Sequence, residues 1–383
     1  MQHQHIALID RHRSRSGRGR ELDPRARFLL AGLLLTALWL APRAGAADAL
    51  SLKHRLAATP FKIAYESYVN SNSDLFVINA DGSHPVNLTR TPDENEHYPQ
   101  VSPDGTRICF VSDRGEGRDT IRSVYYMGID GKHRVKVADY AREPFWSPDG
   151  RTIGFLGQEY PKFNVMDYYT KGMFFFDLKT GKITPHVNTE RLHHLYNPSF
   201  SQNGRWIAAT VHAGMGYGHA ILLIEAHGTN IFNLGIPGCR PCLSPDGRQI
   251  AWGPGDHELA VAPIDLDSAH PTVGPRRVRI LDEKNKIYHI DWSPDSRFLS
   301  FSRGPDGEGD LGKPGTFQAA CEIMGVYAGG WNLDAVSAEQ DRVIDLATAT
   351  PADVAILTTN GDSNKEPAWF WPHRPARLSR LNR

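Results

Sequence analysis

EPFWSPDG at residues 143–150 decides the fold, because the chain repeats this phrase at nearly regular intervals. The other copies are YPQVSPDG (98–105), NPSFSQNG (197–204), RPCLSPDG (240–247), HIDWSPDS (289–296) and a degenerate EPAWFWP (366–372). Successive Ser residues are 45, 54, 43 and 49 positions apart, and Phe370 takes the Ser position 77 residues after the last of them. A period of this size, with strand-like segments inside each unit, is typical of a β-propeller.

Each repeat contains four short strands separated by turn residues. In the unit 143–187, the strands are PFW (144–146), TIGFL (152–156), MFFFDL (173–178) and ITPHV (183–187). SPDG forms a tight turn, because Pro presets φ, Asp can bond its own backbone and Gly supplies a positive φ. A four-stranded sheet with two apolar faces cannot bury both alone, whereas stacking against neighbours around a ring buries them. The bulky residue before each turn is therefore predicted to be inter-blade core: Val101, Trp146, Phe200, Leu243, Trp292 and Trp369.

The two ends of the repeat region complete the count of strands. Residues 61–89 supply a second, third and fourth strand without a first, and EPAWF (366–370) supplies a first strand with nothing after it. Pairing these segments closes the ring and removes the exposed sheet edges that invite aggregation. We predict an all-β, six-bladed β-propeller of four-stranded blades over residues 61–372, closed by N- and C-terminal strands that share one blade.

The first 47 residues have a different composition. An Arg-rich segment precedes the apolar run FLLAGLLLTALWLA (28–41), and a small-residue site, Ala44-Gly45-Ala46, follows it. Fourteen apolar residues are short for a membrane span and have the length of a signal-peptide core. We predict a signal peptide at 1–47, with an uncleaved N-terminal anchor as the alternative, then a linker at 48–60 and a basic tail at 373–383. Both readings place the propeller in the periplasm or outside the cell, free or membrane-tethered.

Composition and motifs exclude several classes of function. Lys and Arg total 43, as do Asp and Glu, so the chain lacks the basic excess of nucleic-acid and anionic-membrane binders. The sequence contains no GxSxG, HExxH or P-loop motif. An oxidising compartment permits disulfides. We expect buried thiols or one structural bridge, of undetermined pairing, among Cys109, Cys239, Cys242 and Cys321.

The repeat resembles that of the TolB-type propeller family over about residues 61–371. The resemblance is carried by SPDG after a bulky apolar residue, by strands such as RICFVS (107–112) and by the turn INADGS (78–83). It implies a stand-alone extracytoplasmic propeller, without the α/β domain that precedes the propeller of TolB itself. It also implies binding of a protein or a cell-envelope polysaccharide, and we expect a monomer without a cofactor.

Propellers bind ligands where the segments leading into each first strand converge, at one mouth of the channel. Polar residues occupy the two positions before the Pro (or Ile290) of each repeat, and binding residues concentrate on such segments of rigid scaffolds. A solvated mouth with local salt bridges is the alternative. The predicted ligand-binding residues are His97, Tyr98, Arg142, Glu143, Tyr196, Asn197, Arg240, Tyr288, His289, Lys365 and Glu366.

The same mouth also admits a second function, a metal-dependent polysaccharide (uronate) lyase or hydrolase. A divalent metal such as Mn or Ca would acidify the proton beside a carboxylate, and a base would remove it. Its candidate ligands are His97, His194 and His289. Two long loops open on this end, the aromatic segment QEYPKFNVMDYYTKG (158–172) and an insertion at 303–330. Loops of this length are often binding arms, and packing between loops is the alternative.

Overall fold

The structure is a computed structural model that describes residues 51–305 and 330–372. These residues belong to the second of two units into which the chain divides, Leu50–Arg383. The predicted signal peptide or anchor, the basic tail, Cys321 and most of the insertion at 303–330 lie outside the described residues. In the described part, no helix is long and apolar enough to cross a membrane.

In the described residues, six sheets, each built on four antiparallel strands, form the six blades of a ring, which confirms the predicted all-β propeller. Blade 1 contains β1 (Lys62–Val69), β2 (Asn72–Asn79), β3 (Val86–Asn87) and β26 (Ser363–Phe370). Blade 2 contains β4 (Glu94–Val101), β5 (Arg107–Arg114), β6 (Ile121–Gly128) and β7 (Val135–Asp139). Blade 3 contains β8 (Ala141–Trp146), β9 (Thr152–Gln158), β10 (Thr170–Asp177) and β11 (Ile183–Pro185).

In blades 2 to 6 the strands lie from the axis outward in the order given, whereas in blade 1 the innermost strand is β26. Blade 4 contains β12 (Leu195–Phe200), β13 (Trp206–Gly214), β14 (Tyr217–Glu225) and β15 (Ile231–Asn233). Blade 5 contains β16 (Cys239–Leu243), β17 (Gln249–Gly255), β18 (Glu258–Asp265) and β20 (Val278–Leu281), with β19 (Thr272–Val273) and β24 (Arg342–Asp345) attached. Blade 6 contains β21 (Asn285–Trp292), β22 (Phe298–Pro305), β23 (Asn332–Ser337) and β25 (Val354–Ile356).

The repeated phrase forms the turn between the first and second strands of a blade. In blade 3, Ser147 Oγ donates to Asp149 Oδ1 at 2.6 Å and accepts from the backbone N–H of Thr152 at 3.0 Å. The Ser is buried, so its hydroxyl satisfies a backbone donor that water does not reach. The same pair of hydrogen bonds recurs at Ser102, Ser201, Ser244 and Ser293.

The ring closes through blade 1, as predicted. Strand β26 pairs antiparallel with β1, and Trp369 lies opposite Ile63. Blade 6 also bonds to this closing strand, because Asp291 Oδ2 accepts from the backbone N–H of Trp369 at 2.6 Å. Both ends of the repeat region are therefore held inside one sheet.

Among the described residues, the hydrophobic core consists of six clusters, one between each pair of neighbouring blades. Each of the six bulky residues that precede the turns belongs to, or packs against, a different cluster, which confirms their prediction as inter-blade core. Trp292, for example, packs between blades 5 and 6 with Val261 and Phe301. Burial of these apolar surfaces between blades is the main stabilising contribution to the ring.

Three elements were not predicted from the repeat. Helix α1 (Leu52–Ala57) lies within the segment expected to be a linker, with Ser51 as its N-cap, and a 3₁₀ turn spans Gly117–Asp119. Leu52 and Leu56 are fully buried in the cluster between blades 6 and 1. Strand β24 belongs to the connection between β23 and β25, yet it pairs in parallel with β20 at the outer side of blade 5. Blade 5 thus carries two strands beyond the predicted four.

Candidate functional site

The innermost strand of each blade lines the axis and carries one bulge. In all six strands the register shifts where a polar residue precedes Pro, or Ile290 in blade 6. The six polar residues share a left-handed backbone, with φ between +47° and +55°. We call this set the axial ring: Tyr98, Glu143, Asn197, Arg240, His289 and Glu366.

The axial ring concentrates backbone strain at one level of the channel. A left-handed conformation costs a non-glycine residue about 1–2 kcal/mol, and a following Pro further restricts its φ and ψ. The six residues occupy equivalent positions and none of them is Gly, so each of them carries this strain. Strain of this kind clusters at binding and active sites. The ring is therefore the candidate functional site.

A cavity of about 250 Å³ lies on the axis and receives side chains from all six blades. One end is formed by the axial ring, and the other end is bordered by residues of the turns, such as Pro103, Pro148, Pro245 and Pro294. From the sequence, the residues of the axial ring were expected in loops at the mouth opposite the SPDG turns. In the structure they lie within the first strands of the blades, and the cavity extends from them towards the turns. Aromatic side chains form much of the wall, including Trp146, Trp292, Trp369 and Trp371.

The loop between β9 and β10, residues 159–169, contacts the ring from the side away from the cavity. We call it the blade 3 loop. Its Asp167 is buried, accepts a hydrogen bond from Tyr98 Oη at 2.6 Å and pairs with Arg240 at 3.3 Å. The sequence analysis singled out this loop for its aromatic residues and missed Asp167, whose role depends on the path of the loop.

Cationic side chains of neighbouring strands hold the blade 3 loop in place. Arg142, which is fully buried, donates to the backbone carbonyls of Asn164 and Met166. The guanidinium carbons of Arg122 and Arg142 lie 4.9 Å and 5.4 Å from the ring centre of Phe163. Burial, with the nearby charge of Arg122, lowers the pKa of Arg142 to about 10. Arg142 is thus a support for the loop, and it does not line the cavity.

Arg240 is the central cation of the axial ring. Besides Asp167, it donates to Asn197 Oδ1 at 3.0 Å and lies 3.9 Å from Glu366 Oε1. Its guanidinium carbon lies 5.6 Å from the ring centre of Tyr196 and 5.4 Å from that of Tyr288. These contacts fix a planar cation that can hold a carboxylate through more than one hydrogen bond.

The acidic groups of the ring have raised pKa values. Burial, reinforced by the charge of Asp167, raises the pKa of Glu143 to about 7. Burial and the charge of Glu66 raise the pKa of Glu366 well above its usual range, and burial lowers the pKa of His289 well below its own. His289 Nε2 lies 3.1 Å from Glu366 Oε1 in these buried surroundings.

The other predicted binding residues lie beside the ring and do not line the cavity. His97 contacts Glu66 at 3.5 Å, and the hydroxyl of Tyr196 contacts His219 at 3.1 Å. Tyr288 stacks on Trp331, with 6.0 Å between the ring centres. The ammonium group of Lys365 lies over the same Trp331. Burial lowers the pKa of Lys365 to about 8. The structure thus separates the eleven predicted residues into the axial ring and a supporting layer.

The proposed metal ligands lie in different surroundings. His194 contacts Glu159 Oε2 at 2.8 Å and the carbonyl oxygen of Ala213 at 2.9 Å. His97, in contrast, contacts Glu66. His289 contacts Glu366. Within residues 51–305 and 330–372, no group of three or more His, Cys, Asp or Glu side chains is placed to hold a metal ion.

Of the four cysteines, three are described, and all three are free thiols. Cys109 is buried in blade 2, and burial raises its pKa well above the usual range. Cys242 lines the cavity and donates to Asp291 Oδ1 at 3.4 Å. Asp291 is a further cavity residue that the sequence analysis did not identify.

No family model and no curated protein matches the chain in sequence. Solved structures share its fold. TolB from Acinetobacter baumannii is 17% identical, with a TM-score of 0.54, and the match covers 80% of this chain and 66% of that chain. The chain therefore spans about two thirds of the length of that TolB. A chain of a nidogen/laminin complex is 8% identical with a TM-score of 0.53, over 82% of this chain and 100% of that chain. The predicted resemblance to TolB-like propellers is confirmed for the fold.

Proposed function

We propose that this TolB-like propeller is an exported binding module that takes a segment of a protein partner into its axial cavity. The observation that carries the proposal is the cavity itself, a space of about 250 Å³ that combines aromatic walls with a polar, strained floor. Buried aromatic anchors and a few fixed polar groups are the usual means of protein recognition. The six strained residues at this end of the cavity are consistent with a ligand that contacts their side chains.

The size of the cavity favours a short segment over a large ligand. Pockets that enclose drug-sized molecules measure about 300–1,000 Å³, and this cavity is slightly smaller. It suits one or two side chains at the tip of a peptide segment, whereas an oligosaccharide of several rings would extend beyond it. No observation among residues 51–305 and 330–372 specifically favours the polysaccharide ligand or the lyase.

The proposal is tested by filling the cavity without changing its strands. Gln100 lines the cavity, and Gln340 is exposed on the surface. We expect Gln100→Trp to abolish capture of partner proteins from a cell-envelope extract, because the larger side chain takes the space of the ligand. The matched control Gln340→Trp should capture the same proteins as the wild type, with thermal unfolding confirming that both variants fold. Equal capture by the two variants would contradict binding in the cavity.

A further inference from the structure

We propose that the axial ring is a receptor for a carboxylate group of the partner segment, and that Asp167 of the chain itself occupies this receptor in the absence of the partner. The inference rests on the proposed binding function and names the chemical group that the ring recognises. It makes the blade 3 loop an internal competitor for the partner.

The propeller repeat does not require the blade 3 loop. The corresponding connections β1–β2, β13–β14 and β17–β18 contain two residues each, whereas β9 and β10 are joined by eleven. The additional residues carry an acidic side chain to the axis and bury it there. Burial of an ionised carboxylate is unfavourable unless its partners are well placed, so its partners identify the chemistry of the receptor.

Those partners come from opposite sides of the ring. Tyr98 belongs to blade 2 and Arg240 to blade 5, and they hold the two oxygens of Asp167 at 2.6 Å and 3.3 Å. Both residues also line the cavity. A carboxylate that enters from the cavity therefore meets the same hydroxyl and the same guanidinium, already oriented by Asn197. Charge-assisted bonds of this kind are among the stronger ones in proteins.

The occupant is held less firmly than these contacts alone suggest. Glu143 and Glu366 face the same space, and the negative charge of Asp167 contributes to raising the pKa of both. The same repulsion acts on Asp167 itself, so part of its attraction to Arg240 is offset. Arg240, in contrast, cannot be left buried without a counter-charge, because an unpaired buried cation is strongly destabilising. When a partner carboxylate replaces that of Asp167, Asp167 leaves its repulsive surroundings and Arg240 keeps a counter-charge.

The test uses the cavity tryptophans as reporters. At neutral pH, the tryptophan emission of the protein is titrated with acetyl-Gly-Gly-Asp-Gly-Gly-amide and with the peptide that carries Asn in place of Asp. We expect Asp167→Asn to bind the Asp peptide about ten-fold more tightly than the wild type, because removal of a competing internal state raises the apparent affinity. The Asn peptide should show no such gain, and Arg240→Gln in the Asp167→Asn background should abolish binding of the Asp peptide.

The matched control is Asp341→Asn, which removes the same charge at an exposed position and should leave the affinity unchanged. If Asp167→Asn does not fold, hydrogen exchange of the wild type provides the readout. Residues 159–169 should then exchange faster with the Asp peptide than with the Asn peptide.

Equal affinities of wild type and Asp167→Asn for the Asp peptide, or an unchanged loop in the exchange experiment, would overturn the inference. Galacturonate is the third probe. If it binds with the same dependence on Asp167 while the Asp peptide does not, the ligand is not a peptide and the inference is wrong. Loss of partner capture in Gln100→Trp together with no effect of Asp167→Asn would refute the carboxylate receptor and leave the proposed binding module intact.

Discussion

Asp291 shows how a single side chain links the cavity to the closure of the ring. It lies in the cavity wall and accepts from the backbone of Trp369 in the closing strand and from the thiol of Cys242. Burial raises its pKa from 3.8 to about 7. The folded protein thus keeps a proton on this carboxyl over a pH range in which the unfolded chain has released it. The contribution of this group to stability is largest below its unfolded pKa and is lost as the pH rises towards the folded value.

We predict that Asp291→Asn changes this pH dependence in a defined direction. Asn can still accept from the backbone N–H of Trp369 but carries no charge, so the variant should gain free energy of unfolding relative to the wild type as the pH rises. Between about pH 4.5 and about pH 7.5 the relative gain should be on the order of 2 kcal/mol. Urea denaturation at both pH values measures it. Asp130→Asn, an exposed position, is the control, and a difference independent of pH in Asp291→Asn would refute the expectation.

At the scale of the element, helix α1 contributes to the ring from outside the repeats. Its backbone begins with a hydrogen bond from the N–H of Leu52 to the carbonyl oxygen of Pro351, at 2.7 Å. Leu52 and Leu56 lie four positions apart and therefore share one face, which is buried between blades 6 and 1. A helix of six residues is not stable alone, so its stability comes from this packing.

We predict that Leu56→Ala lowers the free energy of unfolding by about 2–5 kcal/mol, the usual range for truncation of a buried leucine. Chemical denaturation measures the loss. The neighbouring His54→Ala is the matched control, because His54 is exposed on the same helix and should change stability by less than about 0.5 kcal/mol. Similar values for the two variants would show that the helix does not support the ring.

The strands of the blades were predictable from the sequence because each copy carries the same turn and the same apolar spacing. Helix α1 was not, since its six residues belong to no repeat, and the place of β24 depends on a strand of another blade. The ring positions were predictable from their phase relative to Pro, and their left-handed backbone was not. Asp167 was missed because the path of its loop is set by long-range contacts with Arg142.

At the scale of the whole molecule, closure makes every blade depend on every other. An open array of repeats can lose an end and keep the remainder folded, because each repeat contacts only its neighbours. Here blade 1 combines strands from both ends of the repeat region, and apolar clusters flank it on both sides. Opening this blade would expose two sheet edges and two core clusters together.

We predict that Ala368→Asp, a charge placed at a buried position of β26, destabilises the entire ring. Limited proteolysis should show cleavage in blades 3 and 4 as well as in blade 1, since an unpaired buried charge prevents closure. Val86→Asp is the control, because Val86 lies on the outer strand of the same blade and is 51% exposed. Cleavage confined to blade 1 in Ala368→Asp would indicate independent blades and contradict cooperative closure.

The shared backbone of the axial ring also bears on how such a molecule diversifies. One conformation, set by the bulge and the following residue, already accommodates a phenol, an amide, a guanidinium, an imidazole and two carboxyl groups. The backbone conformation at these six positions therefore does not depend on the chemistry of the side chain. New ligand preferences become accessible through single replacements, most readily by Asn, Asp or His, which tolerate this conformation best. If the proposed binding function holds, the propeller offers a ligand six side-chain positions on one constant backbone.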